Sequence, residues 1–252
     1  MTNLTKLSIE APSITLAPAH DNGQSEIYIG DCLQVMRALV DRGVRVDSVV
    51  TDPPYSSGTR MEASKGTRKA MTRGMGAADW FGNDALTAHS FVWMMRECAL
   101  LWRDLLVPGG HALVFIDWRM APHLAAAIES ADLKHCGVLV WNKTYFGMGS
   151  CFRNQHEFVL HFTNGTGNPP QRRDIGNVLS CKPVRNGDHP TEKPAELLGC
   201  LIEVVTPPGG LVLDPFAGSG STLSAALAGG FRAIGIERET GYLDAIKKRV
   251  SP

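Results

Sequence analysis

The chain has no excess charge of either sign: 25 lysines and arginines stand against 25 aspartates and glutamates. No global positive field therefore announces a nucleic-acid binder. Its six cysteines, at 32, 98, 136, 151, 181 and 200, include no Cys-x-x-Cys pair. That spacing excludes finger- and ribbon-type zinc sites, and no other metal site is expected. A disulfide framework is not needed by a chain long enough to bury roughly three quarters of its unfolded surface. No run approaches the ~20 apolar residues of a membrane span. The first twenty residues lack a basic stretch followed by a long apolar one, so no secretory leader is expected. Apolar residues are 44% and charged residues 20%, which excludes fibrous and disordered classes. The expectation is a cytoplasmic globular protein with reduced thiols.

Beyond a polar, aperiodic arm at residues 1–24, short apolar runs alternate with helical patterns, the rhythm of an α/β sheet protein. Seven strands are predicted, at Glu26–Gly30, Val44–Thr51, His111–Asp117, His135–Trp141, His156–Phe162, Leu211–Asp214 and Arg232–Ile236. Helices are predicted at Leu33–Asp41, Leu86–Leu106, Ala121–Ala131, Ala195–Thr206, Ser221–Ala228 and Gly241–Val250, all in one domain over residues 25–252. No helical pattern separates His135–Trp141 from His156–Phe162, which predicts an antiparallel pair in an otherwise parallel sheet. Phe91, Trp93 and Trp102 are expected to pack, the histidines at 111, 135, 156 and 161 to be structural, and Lys247-Lys248-Arg249 to be a solvated helix end.

Two segments break the alternation. Ser56–Asp79 carries Arg60, Lys65, Arg68, Lys69 and Arg73 against two acids, and Thr163–Arg185 carries Arg172, Arg173, Lys182 and Arg185 against one. Positive charge is thus gathered into two long loops on an otherwise acidic scaffold. Long loops in compact domains are usually functional or disordered.

Three motifs carry chemistry. The strand at Val44–Thr51 runs into Asp52-Pro53-Pro54-Tyr55. Two prolines stiffen this segment and free its carbonyls from a ladder role. It places a carboxylate, free carbonyls and an aromatic ring at the C-terminal end of a strand, where α/β sheets bind ligands. That set suits a planar amino group, although a rigid turn with a packed tyrosine would look the same. The second motif, Asp214-Pro215-Phe216-Ala217-Gly218-Ser219-Gly220-Ser221-Thr222, is a glycine-containing turn from strand to helix. Leu223 replaces the third glycine of a dinucleotide fingerprint and no P-loop lysine is present, which disfavours phosphates. Glu237 ends the next strand, where an acid accepts hydrogen bonds from ribose hydroxyls. A ribose-bearing ligand without phosphates fits. The third motif, His189-Pro190-Thr191-Glu192-Lys193-Pro194, precedes a helix and by itself is equally consistent with helix-entry chemistry.

In this order the motifs resemble the beta-type amino DNA methyltransferases that use S-adenosylmethionine. Gly30-Asp31-Cys32-Leu33 resembles the segment that contacts the cofactor's adenine, and Gln155-His156-Glu157 a recurrent strand element of that family. The resemblance implies a Rossmann-like, seven-stranded, mostly parallel sheet with one antiparallel strand, helices on both faces and a circularly permuted motif order. It implies that Asp52, Pro53, Pro54 and Tyr55 hold a flipped base. It also implies that Asp31, Cys32, Asp52, His189, Thr191, Lys193, Asp214, Phe216, Gly218, Gly220, Ser221, Thr222 and Glu237 line the cofactor pocket. Asp at position 52 resembles the adenine-directed members, so the expected reaction is methylation of the adenine 6-amino group in double-stranded DNA, of the restriction-modification kind. Cytosine, RNA and a protein glutamine are alternative acceptors, and a non-catalytic DNA-binding regulator is the alternative of another class. The loop at Thr163–Arg185 is short for a recognition element, so Ser56–Asp79 or a second subunit of a homodimer is expected to share the reading.

Overall fold

The computed structural model describes residues 17–54, 87–147, 151–184 and 192–251. The predicted apolar runs are strands: β2 (Ser25–Ile29), β3 (Val46–Thr51), β4 (Leu106–Ile116), β5 (Lys134–Asn142), β6 (His156–Thr163), β8 (Leu211–Asp214) and β9 (Arg232–Glu237). Two shorter ones, β1 (His20–Asp21) and β7 (Val178–Ser180), complete a single sheet of order β1-β2-β9-β8-β3-β4-β6-β5-β7. The helices are α1 (Cys32–Asp41), α2 (Ala88–Leu105), α3 (Ala121–Glu129), α4 (Ala195–Val205), α5 (Ser221–Ala228) and α6 (Leu243–Val250).

The central strands are apolar on both faces because both are covered. Val49, Leu213 and Ile234 belong to one buried cluster with Val35 and Leu39 of α1, Phe91, Met95 and Trp102 of α2, and Leu124 and Ile128 of α3. Val50, Val212 and Ala233 face the other way, into a second cluster with Leu197, Leu201 and Ile202 of α4, Leu223 and Ala226 of α5, and Ile246 of α6. Alternation along each strand thus feeds two cores, and among the described residues three helices lie on each side. Each fully buried Leu, Ile or Phe contributes roughly 1.5–3 kcal/mol.

Strand count is where expectation and structure part. β1 lies inside the expected arm and pairs antiparallel with β2 through a turn in which Asn22 Oδ1 accepts the backbone N–H groups of Gln24 and Ser25. β7 lies inside the expected loop at 163–185 and adds in parallel to the edge of β5. Strands of two and three residues are too short to show a period. β6 runs antiparallel to both β4 and β5, so two strands, β1 and β6, oppose the rest. β4 begins at Leu106, ahead of the strand predicted from His111, and takes in Pro108-Gly109-Gly110. Gly109, at φ 79°, sits so close to Asn168 that a Cβ would lie 2.5 Å from its side-chain oxygen, so no larger residue fits. Trp93 is 61% exposed, unlike Phe91 and Trp102, because it falls on the outer face of α2. His111 and His161 are structural as expected: His111 Nδ1 and His161 Nε2 lie 2.9 Å apart, and burial holds His161 down to about 4. Among the described residues no helix is long and apolar enough to cross a membrane.

The chain winds outward in both directions from one place. From β3 it passes through α2 to β4 on one side, and from β8 through α5 to β9 on the other. The crevice between the ends of β3 and β8 is therefore the topological switch point, where α/β sheets bind ligands.

Candidate active site at the ends of β3 and β8

Asp52 and Asp214 stand at this crevice, one at the end of each strand. The β3–β8 ladder covers only Ser48–Val212 and Val49–Leu213, and past it the strands are joined by side chains. The Thr51 hydroxyl donates to Asp214 Oδ1 at 2.7 Å, and the Phe216 N–H donates to the same oxygen at 3.1 Å. Asp214 is only 3% exposed, and burial pushes its carboxyl up to about 6 against the bonds from Thr51, Thr222 and Phe216.

Asp52 is the end of an alternating chain of charges. Its Oδ2 accepts from Lys193 Nζ at 2.5 Å. Lys193 Nζ also lies 3.3 Å from Glu157 Oε2, and Glu157 Oε1 accepts from Lys143 Nζ at 2.5 Å. Lys193 is buried between the rings of Phe115 and Trp141, 5.2 and 6.0 Å from their centres. Burial alone would lower its pKa, but the two carboxylates outweigh burial and raise it. Burial raises Asp52, Lys193 opposes that rise and Glu157 adds to it. Glu157 is held low because Lys193 and Lys143 outweigh its burial. The second oxygen, Asp52 Oδ1, is buried with no hydrogen-bond partner among the described residues. Such an acceptor costs about 1–3 kcal/mol and calls for an explanation.

The glycine-containing turn folds over the end of β9. Gly218 N–H donates to Glu237 Oε2 at 2.7 Å, and Glu237 Oε1 accepts from Glu239 N–H at 2.8 Å. Gly218 and Gly220 take φ of 52° and 84°, and a Cβ on Gly218 would meet open space. A ligand thus has room above the turn's backbone. Neighbouring β2 pairs Ile29 with Glu237, which brings Asp31 to the same edge, where it caps α1 by accepting from Leu33 and Gln34 N–H. Cys32 opens α1 half-buried, Phe216 packs against the first core, and Ser221 and Thr222 open α5. Asp31, Asp52, Asp214 and Glu237 make one edge of carboxylates that would repel phosphates and favour a cationic, hydroxyl-bearing ligand.

The structure gathers Asp31, Cys32, Asp52, Pro53, Pro54, Lys193, Asp214, Phe216, Gly218, Gly220, Ser221, Thr222 and Glu237 along this one edge of the sheet. Lys193 binds Asp52 and Glu157 there, so its ammonium is shared by those two acids. Tyr55, His189 and Thr191 lie outside the described residues, as do Arg60, Lys65, Arg68, Lys69, Arg73 and Arg185. Arg173 and Lys182 are exposed, whereas Arg172 forms ion pairs with Asp174 and Glu203. Lys143 and Arg249 were not read as site residues. Arg249 is not a solvated helix end: it binds both carboxylate oxygens of Glu192 at 2.7 and 2.8 Å and Ser221 Oγ at 3.2 Å. It thereby ties the His189–Pro194 motif to the start of α5. A cavity of about 350 Å³ opens elsewhere, between β5 and α4, and the described residues that line it carry no Asp, Glu, Lys or Arg.

Residues 46–248 match the family model of a DNA methylase. The chain is 35% identical over 227 residues to YubD of Escherichia coli (strain K12), a protein named as a methylase, covering 90% of each. It is 27% identical over 251 residues to the type II methyltransferase M.HinfI of Haemophilus influenzae, covering 89% of this chain and 67% of that one. Among solved structures it resembles the cytosine-N4-specific PvuII DNA methyltransferase, with a TM-score of 0.70 and 18% identity over 94% of this chain and 90% of that one. It also resembles M1.HpyAVI in complex with SAM, with a TM-score of 0.67 and 23% identity over 90% of this chain and 100% of that one.

Proposed function

Since the chain belongs to the N6/N4 family of DNA methylases, we propose that it methylates the 6-amino group of an adenine flipped out of double-stranded DNA. One observation carries this reading: Asp52, at the switch point, keeps one buried carboxylate oxygen without a partner among the described residues. An aromatic amine is a poor nucleophile because its lone pair is delocalised into the ring. Asp52 Oδ1 accepts one amine hydrogen and the Pro53 carbonyl the other, which localises the lone pair on nitrogen. The amine sheds one proton as it gains the methyl group, and Asp52 is the acceptor at hand.

S-adenosylmethionine, when bound, supplies the electrophilic methyl on a cationic sulfur. Glu237 and Asp31 are placed to hold its ribose and adenine, the open backbone at Gly218 admits it, and the carboxylate edge matches its charge. Alignment of the two reactants accounts for much of the remaining rate, on the order of 7–11 kcal/mol. Extruding the base costs a few kcal/mol, and stacking on Tyr55 offsets part of it.

The basic loops at 56–79 and 163–185 hold the DNA, with Arg173 and Lys182 of the second exposed and without an ion pair among the described residues. Arg172 reaches phosphate only by leaving Asp174 and Glu203. The partner is a second copy of the chain, because one short recognition loop spans few base pairs. Sedimentation with and without DNA checks this: monomer alone in both refutes it.

Adenine is preferred over cytosine because Asp at position 52 resembles the adenine-directed members; both bases carry an exocyclic amine, and the charge-assisted bond of a carboxylate, about twice as strong as a neutral one, serves either. Digesting methylated DNA to nucleosides and separating them by mass tests the whole reading. N6-methyladenine is expected, and methylation found only on cytosine overturns the choice of base.

A further inference from the structure

We propose that Lys193 is a positioning residue for methyl transfer, which holds one oxygen of Asp52 so that the other alone faces the target amine, and that Glu157 tempers it. This rests on the methyltransferase reading above. The geometry distinguishes the two oxygens. Oδ2 is bound by the Lys193 ammonium at 2.5 Å, while Oδ1 has no partner among the described residues. A carboxylate at a strand end would otherwise turn about its terminal torsion, which has broad, shallow wells. The ammonium is itself fixed, buried against Phe115 and Trp141 and 3.3 Å from Glu157. Lys143 closes the chain on the far oxygen of Glu157. Two of the three ammonium hydrogens of Lys193 are thereby turned toward carboxylates.

The arrangement also sets how readily Asp52 keeps its charge. Facing it are Lys193 from the segment before α4, Glu157 from β6, Lys143 after β5 and Asp214 from β8. Lys193 favours the ionised carboxylate and Glu157 disfavours it, both against a burial that favours the neutral acid. The two neighbours therefore act with opposite signs. Only ionised Asp52 accepts an amine hydrogen at Oδ1, so the acid limb of the rate profile follows its titration.

The test compares wild type with Lys193→Met, Lys193→Arg and Glu157→Gln. Methyl transfer to DNA is followed from pH 5 to 10, with cofactor affinity measured by calorimetry and the Asp52 carboxyl titrated by carbon-13 NMR in each protein, assigned with Asp52→Asn. Lys193→Met is expected to move the acid limb and the NMR titration to higher pH by about 1–3 units, the effect of removing an opposite charge at contact. At neutral pH its kcat falls while KM for DNA and the dissociation constant of the cofactor stay near wild type. Lys193→Arg restores the limb, since it keeps the charge. Glu157→Gln moves the limb to lower pH. Acid limbs that coincide in all variants, or that move in one direction in both, overturn the proposal, as does loss of cofactor affinity in Lys193→Met, which would make Lys193 a ligand of the cofactor. If Lys193→Met does not fold, Glu157→Gln and the NMR titration still decide. Should wild type methylate nothing, the functional reading fails, whereas the NMR titration continues to test the charge chain by itself.

Discussion

Replacing Asp214 by Asn makes the fold more stable at neutral pH and leaves it unchanged in acid. Asp214 is buried, and burial lifts its carboxyl from the ordinary 3.8 to about 6. Between those values the native state holds a proton that the unfolded chain has lost. Stability therefore falls as pH rises through this window, the sign being set by the greater proton binding of the folded state. A shift of about two units corresponds to about 3 kcal/mol, at 1.36 kcal/mol per unit. That stabilisation is fully present below pH 4 and absent above pH 6. Asn is isosteric, and its carbonyl still accepts from Thr51 and Phe216, the two donors that share Asp214 Oδ1. Its amide then meets the Thr222 hydroxyl, which has lone pairs to spare. Urea unfolding of both proteins at several pH values from 4 to 7.5 measures the difference directly, and titrating groups uncoupled to Asp214 cancel in the comparison, Asp52 and Glu237 being the coupled ones. The Asn variant should match wild type near pH 4 and exceed it by up to about 3 kcal/mol at pH 7. A difference that stays flat across the range would refute a raised Asp214 and with it the picture of a dry crevice between β3 and β8.

Asp52→Ala is expected to reduce methyl transfer at least ~10²-fold, the scale of losing one preorganised group at a reacting centre, with cofactor affinity intact; near-normal turnover would remove Asp52 from the chemistry. Lys193 remains compensated by Glu157 in that variant, so the fold should persist. Glu237→Ala removes the acceptor of Gly218 and Glu239 N–H along with the proposed ribose contact, and cofactor binding should weaken roughly 10- to 150-fold, the equivalent of a charged hydrogen bond; an unchanged dissociation constant rejects that role. Arg249→Ala leaves Glu192, 12% exposed, without its bidentate partner and should cost about 1–3 kcal/mol in denaturant unfolding. Arg249→Lys should recover only part of it, because an ammonium has no fork. Replacing Arg173 and Lys182 should flatten the salt dependence of DNA binding by about 0.9 per lost phosphate contact, and an unaltered slope would place the DNA elsewhere.

The sequence by itself determined the long elements and the site's cast. β3, β4, β6, β8 and β9 were legible because apolar runs buried on both faces contrast with polar helix faces and glycine turns. Asp52, Asp214, Gly218 and Glu237 were legible because each sits at a fixed offset from a strand end, and local order carries that information. What tertiary structure decided was everything that depends on which strand ends become neighbours. Lys193 meets Asp52 across 141 residues and Arg249 meets Glu192 across 57, and no local period encodes either pairing. Lys193 belonged by its motif to the cofactor pocket; the strand order, which sets β3 beside β4 and β4 beside β6, brings Glu157 near enough to share it with Asp52. β7 likewise exists because β5 offers an unpaired edge, and Arg172 is tied down because α4 carries Glu203 past it. Charges in sequence are only a composition. Their pKa values, partners and roles follow from distances of 3–4 Å, and those are set by the packing of elements far apart along the chain.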